Sequence, residues 1–406
     1  MSKRNVVVTG VSVITSVGVG VDAFWSAVCR GEVGTGKLTR FSPEGLRSDR
    51  AGEIKNFDDT KAFRHLDPTP HQRGTRLAMS ASRMAVEDAK LSAGSLEGVS
   101  ERAGVVMGVV VANRPGLEAP YGQGHKQPEG RKPVSLRAHD VALVSEVPAS
   151  ELGLRGPSLV IPTACAAGNS AIGCAMDLIQ DGHADLMLAG GVDELSPAML
   201  MMFSLFDAMS TDVVRPFDKN RRGLILSEGA AVLVLEAEEH ARARGAHIYG
   251  RVLGHGNFAD AHDMTHPHPE GLGARLAMES ALRESGLSPK DVHYVSAHGT
   301  GTPTNDPTEA RAIRDLFGSH TDSLPVSSIK SMLGHSQGAA SAIESVACLM
   351  AMRDGVVPPT VNFTEADPEC QALDVVPNQA RKHRVQVAMN NAFGFGGNIS
   401  CVVFGQ

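Results

Sequence analysis

Ser158-Leu-Val-Ile-Pro-Thr-Ala-Cys-Ala-Ala-Gly168 is an apolar run that turns into a helical pattern, and Cys165 sits at the turn. A thiol placed there lies at a helix N-terminus, where unpaired backbone N–H groups and the helix dipole favour an anion. The expectation is a lowered thiol pKa and a nucleophile. Behind Cys165, Ile172, Ala175, Met176 and Ile179 repeat at the spacing of one buried helix face, and Gly182 follows as a stop. The elbow therefore joins a buried strand to a buried helix, the basic unit of an α/β fold.

The same alternation runs along the chain. Strands are expected at Asn5–Thr9, Ala103–Val111, Ser158–Ile161, Asp185–Ala189, Ala230–Glu236, His247–Gly254, Val292–Ala297, Val326–Ile329, Val385–Asn390 and Ile399–Phe404. Helices are expected at Pro70–Lys90, Cys165–Asp181, Gly273–Ser285, Pro307–Phe317 and His335–Arg353. Such alternation argues for an α/β protein with buried, mostly parallel strands. Ala112–Arg137 lacks periodicity and reads as a long surface excursion. Glu236–Gly250 is the plausible junction between a half spanning 1–245 and a half spanning 246–406; no internal repeat is obvious.

Composition bounds the function. The 406 residues suit two or three domains, or two lobes on one core, with 42% hydrophobic and 20% charged residues. A net charge of -7 and no dense Lys/Arg stripe argue against a nucleic-acid binder. The six cysteines form neither C-x-x-C pairs nor a disulfide framework, so a reducing cytoplasm is expected. The N-terminus lacks a signal-peptide h-region, and no apolar run reaches the roughly 20 residues of a membrane span.

Two histidines share the loop-end setting of Cys165. His298 closes an apolar strand in Val295-Ser-Ala-His-Gly-Thr-Gly-Thr-Pro303, and His335 lies where a helix begins in Lys330-Ser-Met-Leu-Gly-His335. A helix start disfavours imidazolium, so His335 is expected neutral and able to donate an N–H. Nucleophilic cysteine plus two such histidines fits acyl-group chemistry. Against this, any one of sixteen histidines is more often a capped or surface residue. Asn391-Ala-Phe-Gly-Phe-Gly-Gly-Asn398 is either an oxyanion-binding backbone or a plain tight turn. Asp260-Ala-His-Asp-Met-Thr-His-Pro-His268 invites a metal reading, but Pro267 interrupts any helical ligand array. A surface or substrate-side loop is the better reading, with no metal site expected.

Thr163–Gly168, His298–Pro303, Lys330–His335 and Asn391–Asn398, in that order, resemble the β-ketoacyl-acyl carrier protein synthases of the type II elongating class and the type II polyketide ketosynthases. Val8-Thr-Gly10, Ala189-Gly-Gly191, Arg215-Pro-Phe-Asp218 and Glu228-Gly229 extend the match over nearly the whole chain. The resemblance implies the thiolase fold: two similar α/β halves in five α-β-α-β-α layers, usually dimeric. It implies that Cys165 carries the acyl chain as a thioester and that His298 and His335 hold the malonyl thioester during decarboxylation. Backbone N–H groups of Cys165 and Phe395 would form the oxyanion hole. Lys330 and Glu309 would be a buried polar pair that supports the histidines. Thr300 and Thr302 would bind the pantetheine arm, with Phe393 and Phe395 gating chain entry. No tightly bound cofactor is expected, because the substrate arrives on the phosphopantetheine arm of acyl carrier protein. The partners implied are that carrier and either a second copy or a ketosynthase-like chain-length subunit.

Three segments depart from the family pattern: Ser210–Pro216 is short, Arg222–Glu228 differs, and Ala112–Arg137 diverges. They leave acyl-chain preference open. A thiolase would use a second cysteine near the Gly-rich turn, and Cys401 lies past it in an apolar strand. Starter-type enzymes pair the cysteine with His and Asn, whereas here the second partner is His335. A non-catalytic tunnel-shaping subunit would typically lack the cysteine.

Overall fold

A computed structural model describes residues 3–115, 117–118, 136–370 and 373–406. Most of the excursion expected over Ala112–Arg137 lies outside them. The central strands are β1 (Val6–Thr15), β2 (Ala103–Gly108), β3 (Ser158–Ile161), β4 (Leu186–Asp193), β5 (Gly229–Ala237), β6 (Gly250–Ala259), β7 (Tyr294–Ser296), β8 (Pro325–Ser327), β9 (Asp374–Val375), β10 (Val387–Gly394) and β11 (Asn398–Gly405). Among the described residues they follow the order β9-β8-β7-β10-β11-β6-β1-β5-β4-β2-β3, and Gly18–Val19 pairs with the end of β1.

This order contains a repeat that the sequence does not display. The first half runs β3-β2-β4-β5-β1 and the second β8-β7-β10-β11-β6, so each strand has a counterpart at the same place. Within the sheet the halves join through β1 and β6, over Val6–Val8 and Gly250–Val252. The expectation of mostly parallel strands needs correction. Parallel pairing is confined to β2–β3, β2–β4, β7–β8, β7–β10 and β8–β9. The β1–β5, β1–β6, β4–β5, β10–β11 and β6–β11 pairs are antiparallel. Composition marks a strand as buried on both faces; its direction is set by whether the connection crosses the sheet or returns on the same edge.

Among the helices are α1 (Arg73–Asp88), α2 (Leu143–Leu152), α3 (Ala167–Gln180), α4 (Glu238–Ala243), α5 (Leu272–Ser285), α6 (Asn305–Phe317) and α7 (Ala340–Asp354). Period-two alternation sorts strand side chains into separate cores. In β5, Ala231, Leu233 and Leu235 join α3 and α7 in a central core, while Ala230, Val232 and Val234 face an outer core with α1. In β11, Val402 and Phe404 point to the central core and Cys401 and Val403 to a third core with α5 and α6. Helix, sheet, helix pair, sheet, helix is the five-layered thiolase arrangement. Ile172, Met176 and Ile179 of α3 are fully buried at its centre, and each such side chain contributes roughly 1.5–3 kcal/mol. The two central helices thus fix the two elbows that precede them.

Candidate active site

Cys165 sits in a 3-10 turn, Ala164–Ala166, between β3 and α3. Ala164 adopts φ +52°, a sharp reversal that turns the next side chain inward. The helix proper begins at Ala167, two residues later than expected. The thiol is 8% exposed. Burial pushes its pKa up to about 12, with the Lys330 charge pulling down and Asp193 pushing up. The expected helix-start activation is therefore outweighed by desolvation, which favours the neutral thiol. Alkylation of Cys165 by iodoacetamide should then rise about tenfold per pH unit from pH 7 to 9, following the thiolate fraction. A plateau below pH 8, read by mass spectrometry, would show an already ionised thiol.

His298 follows β7 and His335 lies in the loop before α7; both are almost fully buried. Their rings stand edge to face with centroids 5.4 Å apart. Burial, then the Lys330 charge, holds both imidazoles well below their ordinary pKa, so both are neutral. The Gln337 N–H donates to His335 Nδ1 at 3.2 Å. That contact makes Nδ1 the acceptor and leaves Nε2 to carry the proton. His335 is not the first helical residue, as expected, but precedes the 3-10 turn Gln337–Ala339 that leads into α7.

Lys330 and Glu309 do not pair. The Lys330 ammonium bonds the buried Glu344 carboxylate of α7. Glu309 accepts from the backbone N–H groups of His298 and Gly299, each at 2.8 Å, and so fixes the His298 loop. Burial raises both carboxyls to about 7. Glu344 had a signal in the sequence: it is a lone acid on the buried face of an otherwise small and apolar helix.

Phe393 packs its ring 5.5 Å from that of His298. Phe395 stacks on Phe203 at 5.3 Å and meets Phe206 edge-on. Between them, a Cβ on Gly394 would lie 2.9 Å from the Cys165 nitrogen, so only glycine lets the turn approach the nucleophile. The Thr300 and Thr302 hydroxyls are 2.9 Å apart. Cys165, His298, His335, Thr300, Thr302, Phe393 and Phe395 all line one pocket of about 370 Å³. A cleft of about 940 Å³ beside Phe41, Arg114 and Met201 is larger, but holds none of these groups. In the histidine-rich loop, Asp263, Met264 and His266 line the pocket mouth. The one trio of metal-capable side chains among the described residues lies elsewhere: Asp177, His255 and Glu284. His255 bonds Asp177 and Lys3 bonds Glu284, which accounts for the cluster as an ion-pair network.

A buried thiol, two neutral imidazoles lining the same cavity and a glycine turn against the thiol's backbone suit acyl transfer and enolate stabilisation. Residues 3–241 and 249–364 match the N-terminal and C-terminal domains of beta-ketoacyl synthases. The chain belongs to the β-ketoacyl synthase family. It is 39% identical to 3-oxoacyl-[acyl-carrier-protein] synthase 2 of Synechocystis sp., across 100% of this chain and 98% of that one. The synthase 2 of Staphylococcus aureus is 37% identical over 99% and 98%. Among solved structures, the ishigamide ketosynthase/chain length factor superposes with a TM-score of 0.95 at 38% identity, covering both chains fully. A type II polyketide ketosynthase solved with its acyl carrier protein, AntDE:AntF, gives 0.91 at 32%, also covering both chains fully. The protein is thus a condensing acyltransferase of the thiolase fold.

Among the described residues, no helix is long and apolar enough to cross a membrane.

Proposed function

We propose that this β-ketoacyl synthase extends an acyl chain held on Cys165 by two carbons taken from malonyl-acyl carrier protein. The carrying observation is the convergence of Cys165, His298 and His335 on one buried pocket. The Cys165 sulfur attacks the acyl thioester and releases the carrier's pantetheine thiol. Malonyl-carrier then enters, the Thr300 and Thr302 hydroxyls binding its pantetheine arm. CO2 leaves, and its bonding electrons form an enolate whose oxygen accepts from His298 and His335. The enolate carbon attacks the Cys165 thioester carbonyl. The tetrahedral oxyanion takes the Cys165 and Phe395 N–H groups, and collapse expels the cysteine sulfur and leaves a 3-oxoacyl-carrier. Neutral donors suit this step, because charge develops only in the transition state and the desolvated site magnifies each hydrogen bond. Phe393 and Phe395, against His298 and Phe203, gate the mouth.

The carrier's arm is the only cofactor this reading needs. The boundary between halves is taken at 245/246, just past α4, where the strand repeat restarts. The partner is a second synthase-like chain docked on β3. That strand ends the sheet order, and Leu159 on it is 39% exposed, so an edge stands open to pairing. Whether the partner is identical or a chain-length subunit decides tunnel depth, and with it fatty-acid or polyketide use. Six free thiols suit a cytoplasmic enzyme. Incubation with malonyl- and acyl-carrier protein should give 3-oxoacyl-carrier by mass spectrometry; CO2 release without a lengthened chain would refute elongation. Native mass measurement distinguishes the two assemblies.

A further inference from the structure

The duplicated topology places a second elbow opposite the first. In the first half β3 leads through Ala164, at φ +52°, and Cys165 into α3; in the second, β8 leads through Gln337, at φ +53°, and Gly338 into α7. Gly338 is therefore the counterpart of Cys165. The facing strands correspond too: Asp193 ends β4 opposite Gly229, the first residue of β5, as Gly394 ends β10 opposite Asn398, the first of β11. In the first half the Cys165 N–H faces the bare Gly394. In the second, the Gly338 N–H donates to Asp193 Oδ2 at 2.7 Å.

The Asp193 carboxylate also accepts from Val110 at 2.8 Å, Val111 at 2.8 Å and Ala112 at 2.9 Å. It is completely buried. Four backbone donors converging on two oxygens form an anion nest, and the carboxylate fills the seat that an oxyanion would take in the first half. A Cβ on Gly338 would lie 2.7 Å from Asp193 Oδ2, so the fit is closed to any larger residue.

We infer that Asp193 is a positioning residue for the condensation: by clamping the Gly338 peptide it holds the Gln337–Ala339 elbow in shape, and the Gln337 N–H in turn fixes His335 as an Nε2–H donor. The backbone of His335 is held independently, donating to Ile225 and accepting from Ser227. The elbow therefore governs the ring more than the position of its Cα. Burial raises Asp193 to about 7 against the pull of the four N–H groups. The ionised form is the one the site accommodates, since all four contacts are donors.

This inference rests on His335 acting as an N–H donor in decarboxylation, and the test separates the two ideas. Asp193→Asn keeps the shape but turns an amide N–H2 towards backbone donors. Malonyl decarboxylation should fall at least tenfold, with iodoacetamide labelling of Cys165 undiminished. In a His335→Ala background, the same substitution should add less than about twofold, because the two residues act through one interaction. Equal losses in both backgrounds, a near-native rate in Asp193→Asn, or a matching loss of labelling overturns the clamp. Should the variant fail to fold, nitrogen-15 NMR of histidine-labelled native enzyme decides the matter: the clamp requires an unprotonated Nδ1 on His335, and a protonated Nδ1 refutes it. If His335→Ala alone decarboxylates at the native rate, the donor reading fails, while the NMR result still tests the elbow.

Discussion

Cys165→Ala abolishes carbon–carbon bond formation yet leaves malonyl decarboxylation running. Without the sulfur there is no thioester for the enolate to attack, so elongation falls by at least ~10³-fold, as expected for removal of a covalent nucleophile. The decarboxylating apparatus does not depend on that sulfur. His335 is oriented by Gln337, and the His298 loop is held by Glu309. The enolate, lacking an acyl partner, takes up a proton and leaves as acetyl-carrier. The residue is small, and its loss costs about 1 kcal/mol or less of stability. Product analysis with malonyl-carrier alone and with acyl-carrier present checks both halves. Elongation by the variant at the native rate would remove Cys165 from the mechanism; loss of acetyl-carrier as well would mean that the thiol helps to position the malonyl group.

The parts of this site that were legible in the sequence are those written in local patterns. The Cys165 elbow announces itself as an apolar run breaking into small residues before a periodic helix. His298 and His335 stand at the ends of similar runs. The ten expected strands all form, with ends shifted by a few residues. The thiol's electrostatics were not legible, because burial of Cys165 is made by β10 and the Gly394 turn, more than two hundred residues away. Strand direction was hidden for the same reason: β4 and β5 look alike in composition whether their connection crosses or returns. The resemblance pairs Lys330 with Glu309, but the fold turns Lys330 towards Glu344 on the helix that follows it. The duplication is not visible in the sequence because the halves share a path and not residues; Cys165 and Gly338 occupy one position and have nothing chemical in common.

His298→Ala and His335→Ala should each lower decarboxylation by ~10²–10³-fold, the usual range for removing one preorganised donor from a developing oxyanion. Acyl transfer to Cys165 should change far less, because its oxyanion is served by backbone N–H groups. The double variant should lose less than the product of the single losses, since both donors serve one oxygen. The pair also sets an acid limit on the fold. Both histidines titrate well below 6.5 when folded, so between that low value and pH 6.5 the unfolded chain binds more protons. Their contribution to stability is complete above pH 6.5 and is lost as the pH falls towards the folded value. Replacing both should therefore flatten the decline in stability below pH 6.5, measured by denaturant titration across that range. Glu309 and Glu344 act in the opposite sense: their folded values near 7 exceed the ordinary 4.5, so ionising them weakens the fold as pH rises between the two. An unchanged acid limb in the double variant would mean that the imidazoles are not the groups buried neutral. Decarboxylation near the native rate in either single variant would take that histidine out of the enolate-binding pair.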